Sequence, residues 1–146
     1  MTSTRRKAPA RRTAARGKSS RTVRRAAGFE SRPWGGFENI VEGGGYKVKR
    51  LTVEPGHRIS LQRHRFRAEH WVVVEGSPRV IVEGKARRLK ARGAVDVPRG
   101  AWHRIENPGR RPAVIIEVQH GPYLGEDDII RISDDYGRSG SRSGGR

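Results

Sequence analysis

GHRISLQRHRFRAEHWVVVEG, residues 56–76, runs from glycine to glycine with an apolar–polar alternation on either side of a basic bend. A period of two is the mark of a strand with one buried face. It predicts strands at Ile59–Arg63 and Glu69–Glu75, joined by a bend at Arg65–Ala68. Gln62 and His64 are two apart, so on one strand they share a face. Glu69 follows five residues after His64, beyond the bend.

The same pattern repeats on both sides of this stretch. Further strands are predicted at Phe37–Val41, Tyr46–Val53, Arg79–Val82, Lys85–Leu89, Ala94–Val97, His103–Glu106 and Ala113–Gln119. Between them lie Gly43-Gly44-Gly45, Pro55-Gly56, Gly76-Ser77-Pro78, Glu83-Gly84, Pro98-Arg99-Gly100 and Asn107-Pro108-Gly109, all chemically suited to reversing the chain. Short, evenly spaced strands without helical periodicity predict an all-β fold, a double-sheet jelly-roll barrel. Tyr123–Tyr136 is acidic at Glu126, Asp127 and Asp128, then apolar at Ile129, Ile130 and Ile132, and reads as a closing strand or a short capped helix.

The termini are of another kind. The first 29 residues hold no acidic group, and ten of the 32 Lys and Arg lie between Arg5 and Arg25, within a net charge of +17. Lacking apolar periodicity, such a segment buries too little surface to offset its ordering entropy. The expected organisation is a disordered basic tail over 1–29, one domain over 30–138, and a flexible Gly/Ser/Arg tail over 139–146. Ten unopposed cations would bind nucleic acid without sequence preference. Cysteine is absent, which excludes disulfides and thiolate metal sites. No apolar run approaches the ~18 residues of a membrane span, and no apolar segment of the secretory kind follows the basic start. A cytoplasmic chain with no membrane partner is expected.

A second chemical segment, PRGAWHRIEN at 98–107, puts His103 just after a Pro-x-Gly turn. With Gln62, His64 and Glu69 it offers two imidazoles, one carboxylate and one amide oxygen, a set suited to a divalent first-row metal. Lys47 and Lys49 share parity with Leu51 and Val53, so an inward-facing strand carries Lys49 into the barrel. A buried lysine needs an anion, and a phosphorylated sugar would supply one, with Arg67 a second cation for it.

These segments resemble the cupins. Gly56, Gln62, His64, Glu69 and Gly76 have the spacing of the first cupin motif, and Pro98, Gly100, His103 and Asn107 that of the second. LQRH at 61–64, RAEHWVVV at 67–74, RPWG at 32–35, GYKVKRLTVEPG at 45–56, HRIENPG at 103–109 and GPYLGEDDIIRISDDYGR at 121–138 are similar to the isomerase domain of type II mannose-6-phosphate isomerases. The resemblance covers Arg32–Arg138 and implies a cupin double-stranded β-helix. It also implies a metal site of Gln62, His64, Glu69 and His103, with Zn the expected metal and Mn, Co, Fe or Ni as others such a set accepts. The activity implied is interconversion of mannose 6-phosphate and fructose 6-phosphate, in the supply of GDP-mannose for polysaccharide. Asp128 and Arg131 are implied to join Lys49 and Arg67 in binding the sugar phosphate. The proton-transfer group stays open among Lys49, His70 and a carboxylate near Asp128, with Arg67 beside the site. A homodimer is a further expectation.

Two departures from the family bear on function. Where its members commonly run three histidines, this chain has His64-Arg65-Phe66, so a cupin that keeps the metal and only binds a sugar phosphate or sugar nucleotide is the alternative. Nothing here resembles the Gly-rich nucleotide loop of the fused nucleotidyltransferase domain, so guanylyltransferase activity is not expected.

Overall fold

Frequent turn chemistry and β-branched runs give a chain that reverses every few residues. The structure, a computed structural model, describes residues 28–136. Strands follow in the order β1 Phe29–Arg32, β2 Gly35–Gly43, β3 Tyr46–Val53, β4 Leu61–Arg63, β5 Ala68–Glu75, β6 Arg79–Val82, β7 Lys85–Arg88, β8 Ala94–Val97, β9 His103–Glu106, β10 Ala113–His120 and β11 Ile130–Ser133. Among the described residues there is no helix, and hence none able to cross a membrane. One sheet has the order β1-β2-β3-β10-β5-β8 and the other β11-β4-β9-β6-β7, with every pairing antiparallel. The all-β barrel of two sheets is as the sequence predicts.

Two differences have physical causes, and a third segment resolves between its two expected readings. FESR at 29–32 forms β1 against β2 although its side chains are largely exposed, so no alternation announces it. Phe29 thereby belongs to the barrel rather than to the expected tail over 1–29, whose other residues up to 27 lie outside the described ones, as does 139–146. Tyr123–Tyr136 yields a strand, β11, whose register slips between Arg131 and Ser133. β4 is shorter than expected, because Ile59 turns inward ahead of it, its amide donating to the Ile105 carbonyl at 3.0 Å.

The interior of the first sheet is laid out in rows across β3, β10 and β5. Leu51, Ile115 and Val73 make an apolar row, next come Lys49, Glu117 and Trp71, and then Lys47, Gln119 and Glu69. Core and charged floor are thus consecutive parts of one inward face. Val53, Trp71, Val73, Val80, Ile105 and Ile115 are at most 1% exposed, and burying such side chains contributes ~1.5–3 kcal/mol each. Asn107 ties two loops to this core, donating to the carbonyls of Val53 and Arg111 at 2.8 and 2.7 Å.

The turn from β1 to β2 depends on Gly35. Its φ is +139°, and a Cβ there would lie 2.0 Å from the Thr52 carbonyl oxygen, inside the backbone of the paired strand. Neither strain nor contact can relax without shifting β3. Gly35→Ala is expected to cost about 3 kcal/mol or more, read as a lowered melting temperature by circular dichroism.

Candidate metal centre and adjoining cavity

The bend between β4 and β5 returns the chain so that His64 and Glu69 meet inside the barrel, and β9 brings His103 to the same point. One ligand atom from each lies within 4.8 Å of the others, and all three residues are buried. His64 Nε2 is 3.2 Å from Glu69 Oε1, and His103 Nε2 is 3.5 Å from Glu69 Oε2. Two ligands that each sit ~2.1 Å from one metal are themselves ~3–3.4 Å apart, so the spacing suits a first-row cation.

Hydrogen bonds fix which nitrogen each ring presents. His64 Nδ1 lies 2.5 Å from the Asp128 carbonyl and His103 Nδ1 lies 2.9 Å from that of Ala101. A carbonyl only accepts, so both Nδ1 atoms carry the proton and both Nε2 lone pairs turn toward Glu69. Nε2 of His103 is buried with no hydrogen-bond partner, an orphan that a cation would satisfy. Burial pushes the His103 ring below its ordinary pKa, which favours the neutral, ligating form. Burial opposes ionisation of Glu69, but His103, His64 and Arg67 around it outweigh that and hold its carboxyl well below the usual range. Two neutral donors and one anion fit a divalent metal.

Gln62 stands opposite His103 in the β4–β9 pairing, half-buried, with its Oε1 accepting from the Ser60 hydroxyl at 2.7 Å. One lone pair of that amide oxygen is thus engaged, and the other remains for a cation.

A cavity of about 280 Å³ adjoins the cluster. Trp34, Phe37, Leu51 and Ile59 give it an apolar wall, while Arg32, Lys49, Arg67, Arg131, Glu117 and Glu126 charge the rest. Arg67 belongs to both places, since it lines the cavity and its Nε donates to Glu69 Oε1 at 3.0 Å. Lys49 is 3% exposed, stands 4.1 Å over the Phe37 ring and is paired with Glu126. Burial opposes ionisation of Glu126, but Lys49, with Arg67 and Lys47, outweighs it and keeps the carboxyl below the usual value.

Two expected site residues are placed elsewhere. His70 alternates with Glu69 and Trp71 along β5, so it points away from the cavity, 2.6 Å from Asp96 on β8. A group on the outer face cannot move a proton in the interior, which corrects its expected catalytic role. Asp128 is buried but does not line the cavity. Its carboxylate accepts from the Arg65 and Phe66 amides at 2.8 and 2.9 Å, so it holds the bend and, through its own carbonyl, His64. The sequence reading also missed Glu117 and Gln119. Burial, then the charge of Glu69, pushes the Glu117 carboxyl up to about 7, while Lys49 and Arg67 pull the other way. Both residues share parity with Ala113 and Ile115 in AVIIEVQH, and polar side chains at core parity are the signal that could have found them.

Residues 19–134 match the family described as Mannose-6-phosphate isomerase C-terminal. The chain is 50% identical over 107 residues to mannose-1-phosphate guanylyltransferase ManC of Salmonella typhimurium, covering 73% of this chain and 22% of that protein. It is 49% identical over 108 residues to alginate biosynthesis protein AlgA of Pseudomonas aeruginosa, covering 74% and 22%. The chain thus spans about a fifth of the length of these curated relatives. Among solved structures, an RmlC-like cupin from Shewanella frigidimarina superposes with a TM-score of 0.61 at 21% identity, over 68% of this chain and 86% of that one. The names correct the expected activity. These relatives are named for guanylyl transfer involving mannose 1-phosphate and for alginate biosynthesis, so interconversion of mannose 6-phosphate and fructose 6-phosphate is not carried over to this chain. What they support is kinship with proteins of mannose-linked polysaccharide synthesis. With its cupin barrel, the chain belongs to the family described as Mannose-6-phosphate isomerase C-terminal.

Proposed function

We propose that the chain is a metal-binding cupin that holds a phosphorylated mannose in the cavity beside the metal, with zinc as the ion. The observation that carries this reading is Arg67, which lines the cavity and whose Nη1 is buried with no hydrogen-bond partner among the described residues. A buried guanidinium with an idle donor is costly unless an acceptor arrives, and a phosphate oxygen is the matching one. Lys49 and Arg131 line the same cavity and add charge, while Trp34 and Phe37 offer apolar faces to a sugar ring. At about 280 Å³ the space lies at the small end of ligand pockets, which favours a single hexose phosphate over a sugar nucleotide.

His64, Glu69 and His103 would hold the metal, with Gln62 beside them. When bound, a divalent cation supplies Lewis acidity toward sugar oxygens. Lys49, Arg67 and Arg131 would anchor the phosphate, and Lys49 must exchange its Glu126 partner for it.

Calorimetric titration of the zinc-loaded chain tests the reading. Mannose 1-phosphate is expected to bind and mannose is not, and Arg67→Ala should retain zinc while losing ~10- to 100-fold in affinity for the phosphorylated sugar. Equal affinity for the two sugars, or none for either, would reject the proposal.

A further inference from the structure

Arg67 makes contacts that a metal would also require. Its Nε donates to Glu69 Oε1 at 3.0 Å and its Nη2 lies 3.2 Å from His64 Nε2, with the guanidinium buried. An imidazole nitrogen has a single lone pair, and a guanidinium can only donate. His64 Nδ1 is committed to the Asp128 carbonyl, so Nε2 is the nitrogen left to face either Arg67 or a cation. One lone pair cannot serve both. A divalent ion at His64 and Glu69 would also repel the fixed positive charge beside it.

A guanidinium displaced from His64 still needs an anion, because unpaired charge in a buried site is costly. Arg67 already lines the cavity, and its Nη1 is a buried donor without a partner among the described residues. A phosphate there would hold Arg67 away from His64. In the phosphate's absence, Arg67 falls back onto His64 and Glu69 and competes with the metal.

We propose that Arg67 is a two-position coupling residue, so that metal and phosphorylated ligand each raise the other's affinity. The inference rests on the metal-and-phosphate reading above and adds to it a dependence between the two ligands. Binding linkage makes the effect reciprocal, with the same factor in both directions, here about tenfold or more.

The test is the Co(II) affinity of the full chain, read from the ligand-field absorption of the bound ion, with and without saturating mannose 1-phosphate. Mannose serves as the control. The expected result is that mannose 1-phosphate tightens Co(II) binding about tenfold and mannose does not. The reciprocal titration, sugar phosphate into chain with and without Co(II), should return the same factor. Arg67→Met keeps the apolar stem and removes every donor, so Co(II) affinity without sugar should rise and the response to mannose 1-phosphate should vanish. A purely structural Arg67 predicts the reverse, a weaker metal site in that variant. If both ligands bind the wild-type chain with factors near one, the coupling is refuted while the proposed function stands. If mannose 1-phosphate does not bind at all, the proposed function fails first. The wild-type measurement decides even if Arg67→Met does not fold.

Discussion

Glu69→Gln is expected to produce the largest loss at the site, removing metal binding and destabilising the barrel together. Glu69 is 3% exposed and is the carboxylate around which the site is arranged, taking Arg67 Nε at 3.0 Å and Trp71 Nε1 at 3.1 Å, with the Nε2 atoms of His64 and His103 at 3.2 and 3.5 Å. The amide has nearly the same shape but no charge, so Arg67 keeps an acceptor and loses its counter-ion. Removing one member of a buried pair costs about 3–5 kcal/mol, and for a domain of this size that lowers the melting temperature by on the order of 10 °C. The site's carboxylate is also gone, so zinc affinity should fall by at least about a hundredfold, and the zinc-induced rise in melting temperature with it, since only binding to the native state produces that rise. Scanning calorimetry with zinc and with chelator separates the two losses. A variant that melts like the parent in chelator would show that Arg67 does not depend on the charge of Glu69.

The parts of this site that share a strand were legible in the sequence, and those that depend on the main chain of a distant segment were not. Parity alone puts Lys49 with Leu51, because side chains on a strand alternate unless a bulge intervenes, whereas His64 lies one residue beyond β4. The same parity argues against His70, which the structure sets on the outer face with Asp96. Asp128 is a different matter. Its carbonyl fixes the tautomer of His64 from 64 residues away, and a backbone oxygen leaves no trace in residue type. Arg67 was recognisable as a cation near the site, but its contact with His64 depends on the bend over Arg65–Ala68, whose shape Asp128 sets through two amides. β1 was missed for a related reason: FESR packs little and forms by pairing with β2, so pairing geometry rather than burial pattern defines it. Glu117 and Gln119 were readable in principle, as polar residues at core parity, and their function follows only once Glu69 is seen beside them across β10 and β5.

Glu117→Gln is expected to flatten the dependence of stability on pH between about 5 and 8. Burial, and after it the charge of Glu69, pushes the Glu117 carboxyl up to about 7 from its ordinary 4.5. The folded chain therefore keeps a proton that the unfolded chain releases between those two values. Because the native state binds more protons in that window, stability is greatest below about 4.5 and declines as pH rises through about 7, by roughly 3 kcal/mol in all. Glu69, held low, works in the opposite sense: its contribution is present above its unfolded value and is lost only in more acidic solution, so the two effects occupy different windows. The amide of Glu117→Gln cannot ionise, which should flatten the curve between pH 5 and 8 and make the variant the more stable protein at pH 8. Its hydrogen bonds can be kept. Gln119 donates to Glu117 at 2.5 Å while its own Oε1 is buried without a partner, and turning that amide over lets Oε1 accept from the new one. Urea unfolding at pH 5, 6, 7 and 8, in chelator so that metal linkage does not contribute, is the measurement. Parallel curves for the two proteins would mean that Glu117 is ionised throughout, with Lys49 and Arg67 dominating it rather than burial.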